Sequence, residues 1–255
     1  MSATMLAGKT ALVTGGGRGI GRAIAIGLAA AGARVVCAGR TQHEIDEVAS
    51  AIGGVALAAD LGDRQKVTDF IARLQAVGPV DILVNNAGIA ESAPYNRTSD
   101  EMWDRMMQVN VHAAFALSRA LIPAMVTAGF GRVINVASNA GRAGYAYTTA
   151  YCASKHALVG VTRALAAELA RTPVTVNAVC PGWVRTDMVK QAAERIAQKT
   201  KRTAEEAENE LAQMSPQRRL IEPEEVAHLC VSLCAPHARG IHGQSIVLDG
   251  GQLMT

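Results

Sequence analysis

Short apolar runs alternate with longer amphipathic stretches from one end of the chain to the other. Residues Thr10–Thr14, 33–38, 55–59, 80–84, 132–137, 174–179 and Ser245–Leu248 are rich in Val, Ile, Leu and Ala and read as buried strands. Between them fall helical patterns: an alanine-rich stretch ending at Gly32, residues Gln42–Ile52, a segment opening at Asp63, a long apolar stripe over 99–125, the stretch 150–170, and a segment whose first turn is Glu222-Pro223-Glu224-Glu225. Strand alternating with helix in this way predicts an α/β fold, a doubly wound parallel sheet of about seven strands with helices on both faces. One segment breaks the rhythm. Residues 187–219 are polar, helix-prone and longer than an ordinary connection, which predicts a substrate lid.

Length and composition are consistent with that picture. The chain has 255 residues, 49% of them hydrophobic, and shows no compositional boundary, so a single domain over 1–255 is expected. No uninterrupted apolar run reaches membrane-spanning length, and the first nine residues lack the features of a signal peptide; a soluble, cytoplasmic protein is expected. The 25 basic and 22 acidic residues are dispersed, which argues against a nucleic-acid partner and leaves small anions as ligands. A short basic cluster, Lys199-Thr200-Lys201-Arg202, is either a solvated face or a contact for a phosphorylated acyl carrier such as coenzyme A. The five cysteines (37, 152, 180, 230, 234) fall mostly in apolar patterns and read as buried free thiols; no metal-ligand set accompanies them.

The candidate chemistry lies at the ends of the predicted strands. Gly15-Gly16-Gly17-Arg18-Gly19-Ile20-Gly21 joins the first strand to the first helix, where backbone N–H groups and a helix amino end can approach a pyrophosphate. After the second strand, Arg40 stands where an NAD site usually carries an acid; with Arg18 it suits a 2′-phosphate and predicts NADP(H) in preference to NAD(H). Asp60-Leu61 follows the third strand, and the carboxylate either accepts from an adenine amino group, caps the next helix, or both. Asn85-Asn86-Ala87-Gly88 after the fourth strand permits close approach of a ribose and can lock neighbouring strands through amide side chains. Asn110 interrupts the long apolar stripe and needs a partner there; a helix bend and a water reaching Lys155 are expected. Ser138 ends the fifth strand. Thirteen residues on, Tyr151 and Lys155 stand one helical turn apart, a phenol and the cation that would keep it acidic enough for proton transfer. Tyr145 and Tyr147 have no such lysine and are expected to shape a substrate pocket. After the sixth strand, Pro181-Gly182-Trp183-Val184-Arg185-Thr186 forms a turn whose backbone can face a nicotinamide carboxamide, with Trp183 as an apolar wall.

These motifs, in this order, resemble the short-chain dehydrogenase/reductases over nearly the whole chain: the glycine turn after Thr14, Asp60, Asn85-Asn86-Ala87-Gly88, Asn110, Ser138, Tyr151 with Lys155, Pro181-Gly182 and Thr186. The resemblance implies a Rossmann-like domain, a catalytic tetrad of Asn110, Ser138, Tyr151 and Lys155, a nicotinamide cofactor along the strand ends, and a homotetramer or homodimer. Gly15, Gly17, Arg18, Gly19, Ile20, Gly21, Arg40, Asp60, Leu61, Asn86, Ala87, Gly88, Tyr151, Lys155, Pro181, Gly182, Val184 and Thr186 are the expected cofactor contacts; Ser138, Tyr145, Tyr151 and Trp183 those of the substrate. Within the family the chain is similar to 3-oxoacyl reductases and 3-hydroxyacyl thioester dehydrogenases. Two alternatives stand beside that reading: a carbonyl reductase or alcohol dehydrogenase of cyclic or aryl ketones, and a dinucleotide-binding sensor or scaffold without turnover.

Overall fold

The computed structural model of the protein describes residues 4–200 and 202–254. Its centre is a sheet of seven parallel strands: β1 (Thr10–Thr14), β2 (Arg34–Gly39), β3 (Val55–Ala58), β4 (Ile82–Asn85), β5 (Gly131–Val136), β6 (Val174–Pro181) and β7 (Ser245–Leu248), in the order β3-β2-β1-β4-β5-β6-β7. The chain builds outward from β1 in one direction, then returns to lay β4 on its other side. That reversal opens a crevice at the carboxyl ends of β1 and β4.

Because both sheet faces are covered, successive strand residues enter different cores. Ala11 and Val13 pack with α1 (Gly19–Ala30), α2 (Gln42–Ile52) and α9 (Pro223–Cys234); Leu12 between them faces α3 (Arg64–Gln75) and α5 (Ala113–Thr127). Phe70, Leu117, Ile24 and Leu28 are fully buried at these interfaces, each contributing about 1.5–3 kcal/mol of transfer free energy. Four cysteines, Cys37, Cys180, Cys230 and Cys234, are buried free thiols, and Cys152 is half-buried. Burial raises the Cys37 thiol to about 11 and Cys234 to about 12.

The strands begin and end within one or two residues of expectation, with a physical reason where they shift. Asp81, expected inside the fourth strand, precedes it because its carboxylate accepts from Thr10 N at 2.9 Å and Lys9 Nζ at 3.3 Å. The long helix is a larger departure. It divides into α4 (Asp100–Met107), a π-helical turn over Gln108–His112, and α5. Taken through its polar interruptions, Asp100–Thr127 is long and apolar enough to cross a bilayer by length and composition, although no uninterrupted run is. Here its inner face, including Ala113, Leu117 and Met125, is buried against the sheet.

The polar insert is a helical hairpin with its own small core. Helices α7 (Asp187–Lys199) and α8 (Ala204–Gln213) close Val189, Leu211 and Leu220 against Trp183 and Ile196. Thr203 and Glu206 form a reciprocal capping box at the start of α8. Arg185 ties the hairpin to the body, donating to Glu208 of α8 at 2.8 Å and to Glu222, the cap of α9, at 3.0 Å. In the basic cluster, Arg202 is paired with Glu210 at 2.7 Å, and Lys201 lies outside the described residues.

Candidate active site

The glycine turn after β1 is held tightly against β4. Gly15 and Gly19 have φ of +65° and +51°, which side chains other than glycine's rarely adopt. A Cβ on Gly21 would overlap the carbonyl oxygen of Gly15, and one on Gly15 would meet Asn86 Nδ2 at 2.8 Å. The Asn86 amide donates to Thr14 O at 2.9 Å and Gly15 O at 3.3 Å, while Thr14 Oγ1 accepts from the backbone N–H groups of Asn86 and Ala87 at 3.0 Å. The turn is therefore fastened to the fourth-strand loop on both sides. Helix α1 has no side-chain cap, so its first N–H groups, at Ile20 and Gly21, are left for an anion. A backbone cradle that admits no side chain, with orphan donors at a helix start, fits a dinucleotide pyrophosphate.

Asn85 carries the lock inward: its Nδ2 donates to Asn135 Oδ1 at 2.9 Å, and Asn135 Nδ2 donates to Thr162 Oγ1 at 2.9 Å, joining β4, β5 and α6 (Thr149–Leu169). On α6, Tyr151 and Lys155 stand one turn apart, the Lys155 ammonium 5.8 Å from the centroid of the Tyr151 ring. Lys155 is 5% exposed and donates to Val136 O at 2.9 Å. Loss of hydration lowers its pKa to about 8. Burial likewise pushes the Tyr151 phenol up, opposed by a hydrogen bond from the Ser138 hydroxyl. The sequence predicts a phenol made more acidic by Lys155; in the folded chain burial raises it instead, and the Lys155 ammonium is engaged with the Val136 carbonyl.

Asn110 sits in the π-helical turn, 1% exposed. Its Oδ1 accepts from Ile89 N at 2.8 Å; its Nδ2 donates to Ile89 O and to Ser154 Oγ, both at 3.0 Å. These partners take up the amide, which fastens the fourth-strand loop to α6. The bend expected at Asn110 is the π turn. Gly88 completes the junction: a Cβ there would meet Asn110 Oδ1 at 3.2 Å and Lys155 Nζ at 3.5 Å.

A cleft of about 560 Å³ runs from this junction to the second strand. Of the expected cofactor contacts it is lined by Gly15, Gly17, Arg18, Gly19, Ile20, Gly21, Arg40, Asp60, Leu61, Asn86, Ala87, Gly88, Tyr151, Lys155 and Thr186. Pro181, Gly182 and Val184 are not on its wall. Gly182 packs on Asp249, where a Cβ would approach to 2.6 Å, and its N–H donates to Leu248 O; Val184 bridges to Ile221. Trp183 sits at the root of the helical hairpin. The Tyr145 hydroxyl is buried, and Tyr147 is 65% exposed with a φ of +66°. Asp60 does not cap the next helix. Asp63 does, accepting from Lys66 N at 3.0 Å, while Asp60 accepts from Lys66 Nζ at 2.8 Å and Gly62 N at 3.0 Å. The Lys66 hydrogen bond, then Gly62, with Arg40 adding its charge, hold the Asp60 carboxyl below its usual range.

Several residues on the cleft wall were not singled out from the sequence. Glu44 and Asp187 flank Arg18 at 3.7 and 3.9 Å; Glu91 and Arg105 face each other in a two-pronged pair at 2.6 and 2.7 Å; Met188, Gln191 and Arg195 of α7 form one side. Only the spacing of the last three on one helical face was visible beforehand.

The model of the short chain dehydrogenase family matches residues 9–197. The chain is 40% identical, over 97% of its length and 98% of the relative's, to D-beta-hydroxybutyrate dehydrogenase of Cupriavidus necator. It is 37% identical to acetoacetyl-CoA reductase of Rhizobium meliloti, over 96% of this chain and 98% of that one. Among solved structures, L-sorbose reductase of Gluconobacter frateurii, complexed with NADPH and L-sorbose, superposes with a TM-score of 0.92 at 30% identity, all of each chain being covered.

Proposed function

The chain belongs to the short-chain dehydrogenases, and from that membership we propose that it is an NADP(H)-dependent oxidoreductase interconverting a ketone and a secondary alcohol on a 3-oxoacyl thioester. The observation that carries the proposal is the Tyr151–Lys155 pair, one helical turn apart in a cleft whose far wall is the glycine turn. For the substrate, support comes from the names of two relatives, a hydroxybutyrate dehydrogenase and an acetoacetyl-CoA reductase, which place the reacting oxygen on the third carbon of a short acyl chain.

In this reading the hydroxyls of Ser138 and Tyr151 donate to the ketone oxygen, and Tyr151 delivers the proton that completes the alcohol. Lys155 holds the nicotinamide ribose and places positive charge behind the phenol. Asn110 is a positioning residue, keeping the Gly88–Ile89 loop against α6. When bound, the reduced cofactor supplies the hydride. Arg18 and Arg40 hold the 2′-phosphate, the basis for preferring NADP(H), and the hairpin 187–219 closes over the substrate. Tyr145 and Trp183 shape the acyl pocket. We place the enzyme in the cytoplasm, where free buried thiols are at home, as a homotetramer or homodimer. Trp103 and Phe115, 39% and 38% exposed on α4 and α5, support that assembly.

The test is a set of initial rates with NADPH and NADH against acetoacetyl-CoA, an acyl-carrier thioester, cyclohexanone and L-sorbose. The expected result is the highest kcat/KM with NADPH and a thioester. A higher value on the cyclic ketone or the ketose reassigns the substrate, and no turnover on any of them favours the binding-only alternative.

A further inference from the structure

The turn that follows β7 closes over the residue next to Ser138. Its first residue, Asp249, is 4% exposed, and the carboxylate accepts from three backbone N–H groups: Oδ1 from Gly251 at 3.1 Å and Gln252 at 3.0 Å, Oδ2 from Leu253 at 2.9 Å. Gly250 and Gly251, with φ of +69° and +88°, permit that fold of the backbone. The turn is fastened on two other sides as well. Gly250 O accepts from Ser215 Oγ at 3.1 Å and Gln217 N at 3.3 Å, at the end of the polar insert, and Leu248 O accepts from Gly182 N at 3.0 Å. A carboxylate is thus fixed in place where the loops after β5, β6 and β7 meet.

Asn139, buried and adjacent to Ser138, joins that carboxylate to the serine. Its Nδ2 donates to Asp249 Oδ2 at 3.4 Å and to Gln252 Oε1 at 3.0 Å, so both amide protons are used on the turn. Its Oδ1 then faces back, 3.4 Å from Ser138 Oγ. The serine oxygen itself accepts from Ala140 N at 3.1 Å. The Ser138 hydroxyl is therefore set between a firm donor behind it and an acceptor too distant to hold its proton strongly. The orientation of the amide follows from this network, and the carboxylate decides it. Asn139 and Gln252 can each turn their amides over, whereas an ionised carboxylate only accepts. A reversed Asn139 amide would set two donors, its own NH2 and the Ala140 N–H, against the Ser138 oxygen and leave no acceptor beside the hydroxyl. Tyr145 is close by, its pKa raised by burial and then by the charge of Asp249, with Asn139 opposing.

We propose that Asp249, acting through Asn139, is a positioning residue for Ser138: the turn after β7 fixes where the serine hydroxyl stands and which way it is offered to the ketone oxygen. The proposal rests on the reading of Ser138 as a donor to that oxygen. Neither Asp249 nor Asn139 touches the substrate in it. Their effect falls on the hydrogen bond that strengthens as negative charge gathers on the oxygen, so it belongs to kcat rather than to the binding of ketone or NADPH.

The experiment is steady-state reduction by the full chain, with NADPH and the ketone that the parent reduces fastest, in two variants made both in the parent and in Ser138→Ala. Asp249→Asn keeps the size of the side chain, which packs on Gly182, but sets an NH2 group against N–H donors. Asn139→Ala removes the linking amide without opposing any donors, and it carries the test alone should Asp249→Asn not fold. In the parent each is expected to lower kcat about tenfold, the scale of one hydrogen bond, with the KM of the ketone and the affinity for NADPH within about two-fold. In Ser138→Ala, where no hydroxyl remains to be positioned, each is expected to change kcat by less than about two-fold. Near-parental kcat in Asn139→Ala, or a further tenfold fall in the Ser138→Ala background, overturns the proposal, the second by showing that the turn supports the fold in general. A parent that reduces no ketone, or a Ser138→Ala variant with parental turnover, overturns the reading of the site itself, and the proposal with it.

Discussion

Burial favours the neutral form of both Lys155 and Tyr151, lowering the pKa of the first and raising that of the second, and that makes their roles separable. The lysine, lowered to about 8 from its usual 10.5, is an ammonium only below about pH 8 in the folded protein, whereas the phenol, raised above 10, stays protonated throughout. Ketone reduction that needs the ammonium should therefore lose kcat/KM as pH rises through about 8, and a pH–rate profile in reduction checks this. A limb lying above pH 10 would belong to the phenol instead. Stability runs the other way. Between about pH 8 and 10.5 the unfolded chain binds more protons at this site, so folding should gain with pH in that window, and the cost of burying the cation is fully present below it. Tyr151→Phe removes the proton donor while leaving the ring in place. We expect kcat to fall by about 10²–10⁴-fold with NADPH affinity within a few-fold of the parent, read from steady-state rates and a fluorescence titration. Near-normal turnover in that variant would remove Tyr151 from the chemistry.

Elements set by local pattern were legible in the sequence; those set by distant partners were not. The helix Gln42–Ile52 was readable to the residue because its apolar positions, Ile45, Val48 and Ala49, repeat with the helical period and Gly53 ends it in a left-handed conformation. The apolar runs of the strands were equally plain. By contrast, a bend was legible at Asn110 but its form was not: the π turn over Gln108–His112 depends on Asn110 finding Ile89 and Ser154, 21 and 44 residues away, which no spacing rule reveals. The lid shows both cases. Its helices were apparent, but its cluster joins Trp183, before the insert, to Leu220, after it. Glu44 and Asp187 beside Arg18 come from different elements and were hidden for the same reason. The π turn makes a prediction of its own. Asn110→Leu leaves the Ile89 N–H and carbonyl without partners in a buried junction, so we expect a loss of about 2–6 kcal/mol in urea unfolding, from about 1–3 kcal/mol per orphaned group. Because the Gly88 loop is no longer fastened, kcat should fall as well. A stability change under about 0.5 kcal/mol would show that the π turn is held by packing alone.

At the scale of the molecule, the reversal of strand order between β1 and β4 decides where ligands go, and the distribution of charge along the cleft decides which nucleotide enters. The chain as a whole carries only +3, so the proposed selectivity for a 2′-phosphate would have to come from local groups rather than from a general positive field. The two candidate arginines are not equivalent. Arg18 is already shared between Glu44 and Asp187, and in binding a phosphate it exchanges one set of anions for another. Arg40 lines the same cleft with no ion pair among the described residues and only a minor through-space attraction to Asp60, so most of its attraction is available to a phosphate. Arg40→Ala should therefore weaken NADPH by about 10- to 100-fold, the equivalent of about 1.5–3 kcal/mol for hydrogen bonds to a charged group, and change NADH by less than about two-fold. Glu44→Gln should do the reverse in milder form, tightening NADPH a few-fold, because it removes a carboxylate from the wall that the phosphate approaches. Thermal midpoints measured with each nucleotide read both effects by mass action, a ligand at 100 times its Kd adding about 2.7 kcal/mol. Equal losses for NADPH and NADH in Arg40→Ala would mean that Arg40 binds a part the two cofactors share, and the proposed preference would then have to rest on Arg18.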